Sequence, residues 1–151
     1  MMTALDVAQH LRFVKERTNH NDGPWVEALL RVVDCKKGDP WCAAFVSFCL
    51  TIAHYGKPPL PPTASCEVLH QFGITHRLLV GEPLSGDVFL VLTDVGHAHH
   101  TGFCTGPAVN GRVPTIEGNT NTDGSREGWG VFERARTLSP RLVFLRPSEA
   151  P

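Results

Sequence analysis

The chain has 151 residues, of which 42% are apolar and 19% charged, with 14 basic side chains against 15 acidic ones. That length suits one domain, residues 1–151, built on one core, and the near-neutral balance offers neither a basic stripe for nucleic acid nor a charged run of a disordered tail. The N-terminal MMTALDVAQHLRFVKER carries charges inside an amphipathic pattern, lacks the apolar centre and cleavage site of a secretion signal, and no window approaches the roughly 18 apolar residues that span a bilayer, so synthesis in the cytoplasm is expected.

The first half reads as helices. Thr3 is placed to cap a helix with Leu5, Ala8, Leu11 and Val14 on its apolar side. A second helix is predicted from Pro24, with Trp25, Val26, Leu29, Leu30 and Val33 at helical spacing. The third covers about 40–54 and ends at Gly56. Trp41, Phe45, Phe48, Cys49 and Ile52 recur at steps of three and four, and alanines, Val46 and Leu50 fill much of the rest. A helix apolar nearly all round belongs inside a domain. KPPLPPT (57–63) reads as a connecting loop, and a short fourth helix follows Thr63 through Val68 and Leu69 to Phe72.

The second half reads as strands: 85–94, 98–106, 113–119, 129–136 and 141–147 are β-rich runs punctuated by Gly, Pro, Asn and Asp. Helices first and strands afterwards predict an α+β domain, with N-terminal helices packed on a C-terminal antiparallel sheet of about five strands.

The cysteines are Cys35, Cys42, Cys49, Cys66 and Cys104. An odd number without CxxC spacing and without a signal peptide argues against a disulfide framework, and buried thiols commonly serve as small hydrophobes. Cys42 is placed differently. With Asp39 as N-cap and Pro40 in the first helical position, Cys42 falls third in the helix, inside the first turn. There the exposed N–H groups and the helix dipole favour a thiolate. The competing reading is a packed core thiol.

A nucleophilic thiolate needs a base, and the base an orienting group. GHAHHTGF (96–103) and TIEGNT (115–120) offer both. On a strand through 100–103, His100 and Gly102 share a face, so His100 is expected to point at the helix while Gly102 leaves room beside it. Glu117 and Asn119 are two apart, so both side chains are expected on one face of the next strand. Either is a candidate to bond His100.

The ordered set PWCAAFVSFCL, GD before an apolar strand, HHTGF, TIEGNTN with GSREGWGVF, and LVFLRP resembles the CHAP family of cysteine amidohydrolases/peptidases. The resemblance covers about residues 22–147. It implies a fold related to the NlpC-type and papain-like peptidases, in which a cysteine-bearing helix packs on an antiparallel sheet that supplies the histidine. It implies Cys42 as nucleophile, His100 as base, and Glu117 and Asn119 in the family's third and fourth polar positions. It also implies a peptidoglycan substrate, cut at the muramoyl–alanine amide or within the stem peptide and cross-bridge. Action at the bacterial cell wall after release or delivery then follows, with no cofactor and with a protein partner for delivery or wall targeting. Two rivals stand beside this reading: a CHAP-like binding or assembly module with little hydrolysis, and an amidohydrolase acting on a non-wall peptide.

Trp41, Asn121 and Arg126 are candidates for substrate contact. Trp41 equally suits a packing anchor, and NTDGS equally suits a solvated turn. His97, His99, His100 and Cys104 raise a zinc reading, but strand alternation splits neighbouring side chains between faces and the spacing matches no closed zinc site. Calcium-loop spacing of acids is also absent. No metal is therefore expected.

Overall fold

The computed structural model describes residues 1–120 and 128–150. The architecture is α+β: four N-terminal helices pack on a six-stranded sheet whose strand pairings are all antiparallel. The helices are α1 (Ala4–His10), α2 (Pro24–Arg31), α3 (Cys42–Ala53) and α4 (Cys66–Thr75). The strands are β1 (Leu79–Val80), β2 (Val88–Leu92), β3 (Ala98–Cys104), β4 (Arg112–Thr120), β5 (Gly130–Thr137) and β6 (Leu142–Leu145), in the spatial order β1-β6-β2-β3-β4-β5. The sixth strand relative to expectation is β1, two residues that pair with the end of β6; so short a run carries no alternation from which to read it.

Local chemistry accounts for the helix starts. Thr3 makes a full capping box with Asp6, which satisfies two N-terminal donors reciprocally. Pro24 opens α2, as expected, behind Gly23 at φ 115. The start of α3 differs from expectation. Asp39 does not cap it: its carboxylate accepts from the Lys36 N–H at 3.0 Å, closing the preceding turn. The N-cap is Trp41, which offers no side-chain acceptor, and Cys42 is the first helical residue. Asp39 is thus used by a tight turn before the helix can recruit it. Ser65 caps α4, its hydroxyl accepting from the Val68 N–H.

Helix α3 is the centre of the main core, buried along most of its length and packed against α1, α2, β3 and β4. Val88, Leu90, Phe103, Ile116 and Leu145 meet it from the sheet. The alternate residues Phe89, Cys104, Val113, Leu142 and Phe144 form a second, smaller cluster, on the face away from the helices by strand alternation. Trp41 is 0% exposed. Its indole N–H donates to Glu16 at 2.8 Å, and its ring lies where a Cβ on Gly118 would come within 2.8 Å. It is a packing anchor between α3 and β4, not a wall of an open groove.

Two pairings bear on the site. The β3–β4 ladder is formed only at Phe103↔Ile116 and Cys104↔Thr115. Towards His100 and Asn119 the backbone pairing stops. On the other side of β4, the β4–β5 register shifts between Glu117 and Thr120, and Asn119 takes φ 54.

Candidate active site

Cys42 begins α3, so its backbone N–H belongs to the first turn and has no acceptor within the helix. Its sulfur lies 3.6 Å from that of Cys66, the first residue of α4. Two helix tips, each carrying a thiol at its first position, therefore meet. Their approach is fixed by Ser47 of α3, whose hydroxyl donates to the Thr63 carbonyl at 2.9 Å and accepts from the Thr63 N–H at 3.0 Å. Helix α4 is in turn tied to the start of β3: the Ala98 N–H donates to Glu67 Oε2 at 2.7 Å.

That tie holds the strand carrying His100. The register sets His100 opposite Val91, with its ring 6.0 Å from that of Phe89. By strand alternation it lies beside the smaller cluster. The ring nevertheless interacts with the Cys42 sulfur. Nε2 bonds Glu117 Oε1 at 2.8 Å, while Nδ1 is buried without an aligned hydrogen-bond partner. Gly102 makes the approach of the two strands possible: a Cβ there would stand 2.7 Å from the Ile116 carbonyl oxygen and 3.0 Å from Glu117 Cγ.

Glu117 is 0% exposed, and every oxygen is used. Oε2 accepts from Thr115 Oγ1 at 2.6 Å and from Arg136 Nε at 2.9 Å, and Oε1 accepts from Arg136 Nη2 as well as meeting His100. Arg136 lies over the Phe89 ring, 5.6 Å from its centroid. A buried carboxylate is tolerable only with such partners.

The charges follow. Burial alone would raise the Glu117 carboxyl, but the bonds from Arg136 and His100 outweigh it and hold its pKa at about 2. Burial disfavours a charged His100, yet its bonds with Cys42 and Glu117 lift it to about 9. The Cys42 thiol is pulled well below its ordinary value, chiefly by a hydrogen bond from Cys66 against the cost of burial, and further by His100 and the Ala43 N–H. With Cys42 as thiolate, only Cys66 can donate between the two sulfurs. The remaining buried thiols go the other way: burial drives Cys49 up, and burial with two nearby carboxylates pushes Cys104 up to about 12.

Iodoacetamide at pH 7 is accordingly expected to label Cys42 faster than Cys49 or Cys104 in the folded protein. The Cys42 rate should rise less steeply from pH 7 to 9 than that of an ordinary thiol, because its thiolate is favoured. Peptide mapping against time measures this; equal rates at the three positions would remove the charge assignment.

Of the sequence-derived set, Cys42, His100 and Glu117 converge. The register shift and the left-handed backbone at Asn119 interrupt the alternation from which Asn119 and Glu117 were expected to share a face. Asn119 is buried, its Oδ1 has no hydrogen-bond partner, and Glu117 is the residue that bonds His100. Asn121 and Arg126 lie outside the described residues. His97 is exposed and His99 half-buried; among the described residues no group of three His, Cys, Asp or Glu side chains is gathered to hold a metal. No helix among them is long and apolar enough to cross a membrane.

Two members of the site were not singled out from the sequence. Cys66 follows Ser65 at a helix start, the same first-turn placement that marked Cys42. Arg136 sits in the alternating ERAR of β5, beside the strand that carries Glu117. A groove of about 470 Å3 runs past the residues preceding both thiols, lined by Asp39 and Pro40 on one side and Pro62, Ala64 and Ser65 on the other. No protein family matches the chain in a scan of family sequence models, and no curated protein matches it significantly.

Proposed function

We propose that this chain is a cysteine amidase or endopeptidase of the CHAP type, acting on peptidoglycan. The observation that carries the reading is the line Cys42–His100–Glu117: a thiol at a helix tip, an imidazole beside it, and a clamped carboxylate behind the ring. The choice of the cell wall as substrate is supported by the resemblance of the ordered motifs.

The chemistry is acyl transfer. The Cys42 thiolate attacks an amide carbonyl carbon, and the developing oxyanion is met by the Cys42 backbone N–H, which points out of the helix end. His100, charged through its bond to Glu117, gives its Nδ1 proton to the leaving nitrogen, and the C–N bond breaks to leave a thioester. The neutral imidazole then takes a proton from water. The resulting hydroxide equivalent attacks the thioester, releasing the acid and restoring the thiolate. Glu117 keeps the tautomer fixed throughout and stays ionised. The groove past Pro40 and Pro62 supplies the approach for an extended peptide.

The test is incubation of the protein with purified sacculi. Soluble fragments with new amino groups and no new reducing sugar ends are expected, and mass spectrometry of the fragments identifies the bond cut. A second reading, a binding or assembly module, draws on one observation: Cys42 and His100 are each only 2% exposed. Co-sedimentation with sacculi without release of amino groups would establish that reading in place of the first, and hydrolysis of other peptides with sacculi untouched would move the substrate away from the wall.

A further inference from the structure

We propose that Cys42 and Cys66 form a reversible oxidative pair, in which Cys66 captures oxidised Cys42 as a disulfide. This inference rests on the reading of Cys42 as a reactive thiolate, and it adds a modification site to that centre.

The geometry comes first. The two sulfurs are 3.6 Å apart, and a disulfide needs about 2.05 Å, so a small closing motion of two side chains is enough. The backbones that carry them are held in register by Ser47 on Thr63 and by the Ser65 cap of α4. No helix has to unwind to bring the thiols together. The other buried thiols are placed differently: Cys49 lies two turns along α3, and Cys104 belongs to the cluster on the far side of the sheet.

The chemistry then orders the pair. The oxidant is a small hydroperoxide. The Cys42 thiolate attacks its terminal oxygen; the O–O bond breaks, the alkoxide or hydroxide leaves with a proton, and Cys42 becomes a sulfenic acid. The sulfur of Cys66, losing its proton, attacks the Cys42 sulfur. The S–O bond breaks, water leaves, and the disulfide forms; the peroxide has been reduced by two electrons and the two thiols oxidised by two. Without Cys66, a second peroxide takes the sulfenic acid to sulfinic acid, which a dithiol does not reverse. Cys66 thus carries a consequence beyond its hydrogen bond. The nucleophile is inactivated by oxidation in a form that reduction restores.

The experiment treats the whole chain with a several-fold molar excess of hydrogen peroxide, blocks remaining thiols, and reads the mass of the chain and of its chymotryptic peptides without reduction. Trypsin is unsuitable because Lys57 precedes Pro58, which leaves both cysteines in one peptide. The wild type is expected to lose two hydrogens in mass, to show the segments of Cys42 and Cys66 joined, and to regain Cys42 alkylation after dithiothreitol. Cys66→Ser and Cys66→Ala are expected to gain two oxygens at Cys42 and to recover nothing; Cys49→Ser should behave as wild type. Melting curves establish that each variant is folded. Gain of two oxygens at Cys42 in the wild type, or full recovery of Cys66→Ser, would overturn the proposal. The readout needs no wall substrate. Linkage without sacculus hydrolysis would count against the proposed activity alone, and hydrolysis without linkage against the oxidative pair alone.

Discussion

Cys42→Ala is expected to lose sacculus hydrolysis by about 10⁴-fold or more, to the level left by binding and the oxyanion donor alone. No neighbour can substitute as nucleophile. Burial raises Cys49 and Cys104 into the neutral form, and Cys66 leads a different helix with its own cap. Truncation of one buried sulfur is of the size that costs about 1 kcal/mol in a core, so the variant should remain folded. It also loses the thiolate that helps keep His100 charged. Release of amino groups by wild type and variant, at matched concentration and with melting curves for both, measures the effect. Activity of Cys42→Ala within tenfold of wild type would end the thiol mechanism.

Glu117→Gln is expected to lower kcat by about 10³ to 10⁴-fold, the scale seen when the carboxylate behind a catalytic imidazole is made neutral. The same change leaves the part-buried Arg136 without its anion, and breaking a buried ion pair from one side costs about 3–5 kcal/mol. Urea denaturation reads the second effect and initial rates the first. The pH dependence separates them further. The Glu117 carboxyl is lowered from 4.5 to about 2, so its stabilisation is complete above 4.5 and is lost as pH falls through about 2. His100 is raised from 6.5 to about 9, so its contribution is complete below 6.5 and is lost as pH rises through about 9. The pair contributes most between pH 4.5 and 6.5. Activity, which needs the imidazolium, should fall on the alkaline side near pH 9 in the wild type. In Glu117→Gln that fall should begin at lower pH. An unmoved alkaline limb would show that Glu117 packs the sheet without governing the imidazole.

The α+β layout was legible because the two halves of the chain carry different periods. Helix α3 is apolar on every side and is the most deeply placed, and the β-rich runs between Gly and Pro punctuation became strands within a few residues of their expected limits. Thr3 was readable as a cap because no competing partner stands near it. Asp39 was not, since the Lys36 N–H, three residues before it, takes its carboxylate first. The same local competition moved Cys42 from the third helical position to the first. That change left its polarity argument intact, since Cys42 remains in the first turn.

Within the site, residues joined by short motifs were visible and residues joined only by folding were not. His100 beside Gly102, and Glu117 two beyond Thr115, are local patterns. Arg136 reaches Glu117 through the β4–β5 pairing, across a loop whose register no single strand specifies. Cys66 reaches Cys42 through the packing of two helix ends. The relation of Asn119 to Glu117 was not legible for another reason: strict alternation assumes an unbroken ladder, and the register shift interrupts it where it was used.

The short β3–β4 ladder gives the His100–Glu117 contact a second duty. On the His100 side of Phe103, where the paired register ends, this charged bond spans the seam between a four-strand slab and a two-strand one. The groups proposed to handle protons are therefore also a mechanical rivet. A slight parting of the slabs would misalign the ring before any helix loosened, so catalytic competence should be lost ahead of global unfolding.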